Sequence, residues 1–173
     1  MRKILVVIDM QNDFIDGALG TKEACAIVEN VKNKISSYPK TDVYATRDTH
    51  EKNYLQTQEG KFLPVEHCIR KSSGWNLQKE IENLLENSCI VDKPTFGSIR
   101  LAEILSQENE KENLAIEIVG LCTDICVVSN ALILKAFMPE VPITVDSACC
   151  AGVTVEKHEA ALETMRSCQI NVV

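Results

Sequence analysis

The chain has 173 residues, 45% of them hydrophobic and 25% charged, which suits one globular domain, 1–173, with a sizeable core. A formal net charge of −7 argues against a nucleic-acid partner or an anionic membrane surface, and no apolar run reaches the length of a membrane span. The eight Cys do not read as a disulfide framework, and Met1-Arg2-Lys3 leads into a strand and not a leader; a cytoplasmic protein with reduced thiols is expected.

Lys3 to Ile8 is a continuous β-rich run of the kind buried on both faces in a parallel sheet, and it ends at Asp9. An Asp there is commonly a turn former, but it also stands where open α/β sheets place their ligands. After Gly17 and Gly20, with Thr21 as N-cap, Ala24, Ile27, Val28, Val31 and Ile35 mark one amphipathic helix. A second strand, Asp42 to Thr46, ends in Arg47-Asp48-Thr49-His50. The long polar segment from Glu51 to Gly74 follows, a length that is usually functional or disordered. It brings Glu59 and His67 to the Asp48/His50 pair, and mixed N/O ligation of that kind suits a catalytic Zn, Fe or Mn ion.

Asn76 is expected to cap a helix with Leu77, Ile81, Leu84 and Leu85 on its apolar face. The strand Cys89 to Val91 then ends in Asp92-Lys93-Pro94-Thr95-Phe96-Gly97. A short helix from Ile99 to Leu105 and an acidic loop around Glu108 to Glu112 lead to the strand Ala115 to Val119. Gly120-Leu121-Cys122-Thr123-Asp124-Ile125-Cys126 is a strand-to-helix turn, with Thr123 or Asp124 as N-cap. Cys126 falls in the first helical turn, where free N–H groups favour a thiolate and can hold an oxyanion. A lone Cys is more often packing, so this turn gains weight only from its company. A strand Val141 to Val145, a helix Thr154 to Ser167 and a strand Gln169 to Val173 close the chain. His158 shares a face with Leu162 and Met165 and reads as a packed structural histidine. The alternation predicts an α/β three-layer sandwich on a mostly parallel, Rossmann-like sheet of about six strands. In such a sheet Asp9, Asp48 with His50, Lys93 and Cys126 all fall at one edge.

Four stretches, Val7 to Phe14, Thr46 to His50 with Glu59 and His67-Cys68, Asp92 to Phe96, and Gly120 to Val127, resemble the isochorismatase-like cysteine hydrolases, nicotinamidase branch. That resemblance implies Asp9, Lys93 and Cys126 as catalytic residues, with the N–H groups of Cys122 and Cys126 as oxyanion hole beside a cis Leu121–Cys122 peptide. It implies a divalent transition metal, zinc by preference, at Asp48, His50, Glu59 and His67, where it orients the ring nitrogen and polarises water. Phe14, Leu63, Phe96 and Leu121 would line the pocket for a small-molecule amide, nicotinamide above all, in a homo-oligomer. Leu63 replaces an aromatic residue common in that branch, and Glu59 stands in for a third loop histidine. Another amide, such as an N-carbamoyl amide, is the alternative substrate. A redox sensor using Cys122 and Cys126, or a non-catalytic binding module, is the rival of a different class, and a sensor needs the two sulfurs within bonding reach.

Overall fold

A computed structural model describes residues 1–173. Six strands alternate with helices: β1 (Arg2–Ile8), α1 (Asn12–Ile15), α2 (Lys22–Ser36), β2 (Val43–Asp48), α3 (Gln58–Phe62), α4 (Lys79–Leu84), β3 (Cys89–Lys93), α5 (Ile99–Lys111), β4 (Leu114–Leu121), α6 (Val128–Phe137), β5 (Ile143–Ala151), α7 (Val155–Ser167) and β6 (Asn171–Val172). All pairings are parallel, in the order β3-β2-β1-β4-β5-β6. The chain therefore builds outward from β1 to β3, crosses back over β1 to β4 and builds outward again. The strand order reverses between β1 and β4, which is where a sheet of this kind opens a crevice at its carboxyl edge.

Ile4 to Ile8 are wholly buried because β1 lies at the centre with a core on each face. Ile4, Val6 and Ile8 pack with α5, α6 and α7, while Leu5 and Val7 pack with α1, α2 and α4. The alternation of strand side chains feeds the two cores in turn, so an unbroken apolar run is what a covered parallel strand requires. Thr21 caps α2 by accepting from Ala24 N at 3.0 Å, and Ala24, Ile27, Val31 and Ile35 form its buried stripe. Gly120 joins β1 to β4 at the edge that matters: its φ is +120°, and a Cβ there would stand 2.1 Å from the Ile8 carbonyl oxygen. Only glycine lets the two strands close up where Asp9 and the Cys122 turn begin. No helix is long and apolar enough to cross a membrane.

Several boundaries differ from the sequence reading, each for a local reason. Asn76 is not a cap. Asn12 N bonds Asn76 O at 3.0 Å and Gln78 N bonds Met10 O at 2.9 Å, an antiparallel bridge that holds Leu77 extended. The helix starts one residue after Gln78, whose side chain accepts from Glu80 N and Ile81 N. The acidic stretch at 108–111 is the last turn of α5, not a loop, with Glu108 paired to Lys111 at 2.7 Å and to Arg2 at 3.0 Å. β5 runs on to Ala151 through small residues that pair again with β4 beyond an irregularity between Ile118 and Gly120. β6 keeps only two residues in register with β5. The segment after β2 is ordered, with a 3-10 turn at Tyr54–Gln56 and α3 capped by Thr57.

Candidate active site

Beyond Gly120 the chain forms a turn of π-helix, Thr123–Val127, that runs into α6. The Leu121–Cys122 peptide is cis. Ile125 N and Val127 N both donate to the Cys122 carbonyl, at 3.1 and 3.0 Å, which closes the turn around Cys126. Neither Thr123 nor Asp124 caps it, because each side chain reaches outward to other elements. The Thr123 hydroxyl pairs with His158 Nδ1 at 2.8 Å, and Asp124 Oδ1 accepts from Val153 N at 2.9 Å. Asn130, one turn into α6, donates to the Cys126 carbonyl at 2.8 Å and to the Phe96 carbonyl at 3.1 Å, and accepts from Ser98 N at 2.9 Å. The turn is thereby tied to α7, to the loop before it and to the loop after β3.

Asp9, Lys93 and Cys126 converge from β1, β3 and this turn, at 0%, 1% and 4% exposure. Lys93 Nζ lies 2.7 Å from Asp9 Oδ2 and donates to Cys126 Sγ at 3.3 Å, to Asp48 Oδ1 at 3.3 Å and to the Thr95 carbonyl at 3.1 Å. Asp9 takes a positive φ of 47°, and Thr46 fixes its carboxylate by donating to Oδ1 at 2.6 Å. Oδ2 has no well-directed donor, so it keeps an acceptor position open although it touches the ammonium. Burial, then the Asp9 charge, push the Cys126 thiol well above its usual range, and Lys93 opposes them. Burial also raises the Asp9 carboxyl, again against Lys93. Burial lowers the Lys93 ammonium, but Asp9, Cys126 and Asp48 outweigh it and hold the charge. The thiolate expected at a helix N-terminus is thus opposed by burial, which favours the neutral thiol. The Cys122 thiol is pushed up to about 12 by burial and Asp124.

A second cluster lies beside the first. Asp48, His50 and His67 offer ligand atoms within 4.8 Å of one another, all three residues buried. His50 Nε2 lies 2.9 Å from Asp48 Oδ2 but makes no hydrogen bond, a buried nitrogen left without a partner. His67 Nδ1 faces the Val65 carbonyl at 2.9 Å, which turns Nε2 inward. Glu59, half-buried on α3, stands 3.5 and 3.7 Å from the two imidazoles, outside the tight group. Two imidazoles and one or two carboxylates with an orphaned nitrogen fit a divalent transition metal. Burial works against the His50 imidazolium, yet the Asp48 carboxylate 2.9 Å away raises its pKa overall.

The supports of both clusters escaped the sequence reading. Gln11 clamps Asp48 from both sides, accepting from its N–H at 2.7 Å and donating to its carbonyl at 2.8 Å. Asp13 Oδ2 accepts from Cys68 N at 2.7 Å and holds the loop segment that carries His67. Tyr54, wholly buried, packs its ring 4.7 Å from His50 and 5.0 Å from His67 and donates to the Leu63 carbonyl at 2.9 Å. Gln11, Asp13 and Thr46 were visible as polar residues at the ends of apolar strands, a pattern that demands partners. Nothing in the sequence around Tyr54 marked it.

Both clusters meet at one cavity of about 510 Å³, to which Asp48, His67, Cys122 and Cys126 are exposed. Its walls are largely apolar, with Phe14, Leu63 and Phe96 as expected, joined by Leu19, Phe62 and Ile125. Leu121 is not among them. It is 1% exposed and packs in the core beneath α2, because the residue before the turn points to the far face of the sheet.

A crevice at the switch point of such a sheet, with a thiol and a histidine–carboxylate cluster sharing one cavity, defines an α/β protein with a single candidate active site. The chain belongs to the isochorismatase domain family, whose model matches residues 3–173, and it is an amidohydrolase of that family. It is 25% identical to a Bacillus subtilis (strain 168) uncharacterized isochorismatase family protein, PncA, over 94% of this chain and 93% of that one. Its fold matches the crystal structure of a Pyrococcus horikoshii pyrazinamidase in complex with zinc, with a TM-score of 0.79 at 26% identity over 100% of this chain and 99% of the other. The crystal structure of a Bacillus subtilis nicotinamidase/pyrazinamidase superposes with a TM-score of 0.82 at 24% identity, each chain covered fully at 100%.

Proposed function

We propose that the protein hydrolyses a small aromatic carboxamide, nicotinamide first, to the carboxylate and ammonia, with Cys126 as nucleophile. The observation that carries this reading is the contact of Lys93 with both Asp9 and Cys126 at the floor of an apolar cavity that Asp48 and His67 also line. The Pyrococcus pyrazinamidase, crystallised with zinc, supports it, since pyrazinamide and nicotinamide are both ring carboxamides with a ring nitrogen.

Asp9 takes the Sγ proton as the sulfur attacks the amide carbon, and Lys93 steadies the charge that passes between carboxylate and thiolate. The carbonyl electrons move to oxygen, where the N–H groups of Cys122 and Cys126 receive them. Collapse of the tetrahedral species expels the amine, which takes the proton back from Asp9 and leaves as ammonia. Water then adds to the thioester with Asp9 as base, and the second collapse returns the thiol and the free acid. Asp48, His50 and His67, with Glu59 at the rim, would hold a divalent transition ion, which supplies a Lewis-acid position for a ring nitrogen or for water. Phe14, Leu63 and Phe96 exclude solvent from the ring.

The test is ammonia release from nicotinamide, pyrazinamide and N-carbamoyl amides by the purified protein, before and after chelation. Release from the ring amides in preference supports the reading. Release from the N-carbamoyl amides alone transfers the mechanism to another substrate.

A further inference from the structure

We propose that His158 is a positioning residue for the nucleophile turn, acting through Thr123; this rests on Cys126 being the nucleophile. The sequence pattern placed His158 in the core face of α7, but it is only half-buried, and its Nδ1 pairs with the Thr123 hydroxyl at 2.8 Å. Thr123 is 0% exposed and sits between Cys122 and Cys126, the residues to which the proposed mechanism gives the oxyanion. Its hydroxyl has this partner and no contact with the substrate cavity, whose walls include neither Thr123 nor His158. His158 instead lines a separate cavity of about 240 Å³ behind the turn, with Glu23, Cys150 and Gly152.

A second feature shows how closely α7 approaches. A Cβ on Gly152 would stand 2.9 Å from Asp124 Oδ1, from His158 Cβ and from His158 N. The first turn of α7 is thus pressed against the nucleophile turn with no room for a side chain between them. Asp124 fastens the same junction through Val153 N at 2.9 Å. The imidazole and the hydroxyl set the height of the turn above the sheet, and with it the reach of Cys126 Sγ to Lys93. A displacement of about 1 Å in such a group costs on the order of 100-fold in rate.

The experiment compares Thr123→Val and His158→Leu, which delete the pair, with Thr123→Ser and His158→Asn, which keep a polar atom at each position. Rates are taken per folded molecule, with circular dichroism as the control. Thr123→Val and His158→Leu should each lower kcat about ten-fold with KM changed less than about two-fold, and the conservative variants should restore most of it. The double variant should be no slower than either single, since both act through one contact. Alkylation of Cys126 by iodoacetamide, which needs no substrate, should slow in the same two variants. Unchanged kcat and unchanged alkylation in Thr123→Val and His158→Leu overturn the proposal, as does a double variant whose loss is the product of the singles. Cys126→Ala run alongside separates the two claims. If it still releases ammonia, the nucleophile assignment fails. If it is inactive while the other variants match the wild type, only the role of His158 fails.

Discussion

The two edges of the sheet carry the same chemical groups in opposite conditions. At the amino edge Lys34 meets Glu117 at 2.7 Å and Asp146 at 2.8 Å, and Arg2 meets Asp42 at 2.7 Å and Glu108 at 3.0 Å. Those side chains keep between 14% and 25% of their surface in water. At the carboxyl edge Lys93 meets Asp9 and Asp48 with their side chains 0%, 0% and 4% exposed, and Asp9 Oδ2 and His50 Nε2, though each stands within 3 Å of an oppositely charged partner, make no well-aligned hydrogen bond. Solvated ion pairs contribute little to stability, whereas buried ones must be fully partnered to break even. Polar capacity left open in a dry place is therefore the mark of a site, and ion pairing by itself is not.

The largest expected effect is at the thiol. Cys126→Ala should lower amide hydrolysis by about 10⁴-fold or more while the protein folds, and Cys122→Ala should keep most activity. Matching losses in both, each measured on folded protein, would show the two cysteines to be misassigned. Lys93→Met comes next, with a kcat loss of about 10²–10⁴-fold and destabilisation of about 3 kcal/mol, since two buried carboxylates lose their cation. The same change at the other edge, Lys34→Met, sharpens the comparison: activity should stay within about two-fold and stability within about 1 kcal/mol, read by urea denaturation. Equal effects of the two substitutions would erase the distinction between the edges.

His50→Ala should weaken divalent-ion binding by at least about ten-fold, measured by equilibrium dialysis with zinc. Unchanged zinc affinity would remove His50 from the ligand set.

The smallest effect concerns pH. Cys126 has its thiol raised above its usual range in the folded state, by burial and then by Asp9, so the folded protein holds the proton more tightly than the unfolded chain. That stabilisation is fully present below the unfolded value and is lost as pH rises through the folded one. Melting temperature should therefore fall more between pH 8 and pH 10 in the wild type than in Cys126→Ala, by roughly a few degrees. Parallel curves would mean that the thiol titrates as it does in water.

How much of this was legible follows from what each signal reports. The layers, the mostly parallel sheet and the placing of Asp9, Lys93 and Cys126 at one edge were readable because β-rich runs, helical stripes and strand-end residues map directly onto a wound sheet. The start of α4 was not, since Leu77 is held by a bridge to Gln11, a contact far away in the sequence. Asp124 and Thr123 looked like caps because capping is local chemistry, yet each is claimed by a residue some thirty positions on, Val153 and His158. The partner of His158 was not legible, because its helical face is shared with Leu162 and Met165 and periodicity carries no information about where the polar end of an imidazole points. Leu121 was assigned to the pocket by the resemblance, but strand alternation turns it to the far face of the sheet.

The central claim, a covalent route through Cys126, is tested most directly by quenching the enzyme in acid during turnover of nicotinamide and mapping the adduct by mass spectrometry. The account predicts a peptide containing Cys126 that carries one nicotinoyl group, the mass of nicotinamide less ammonia, and no adduct on Cys122 or in Cys126→Ala. Rapid turnover with no acyl group on any cysteine, or an adduct that survives in Cys126→Ala, would contradict it.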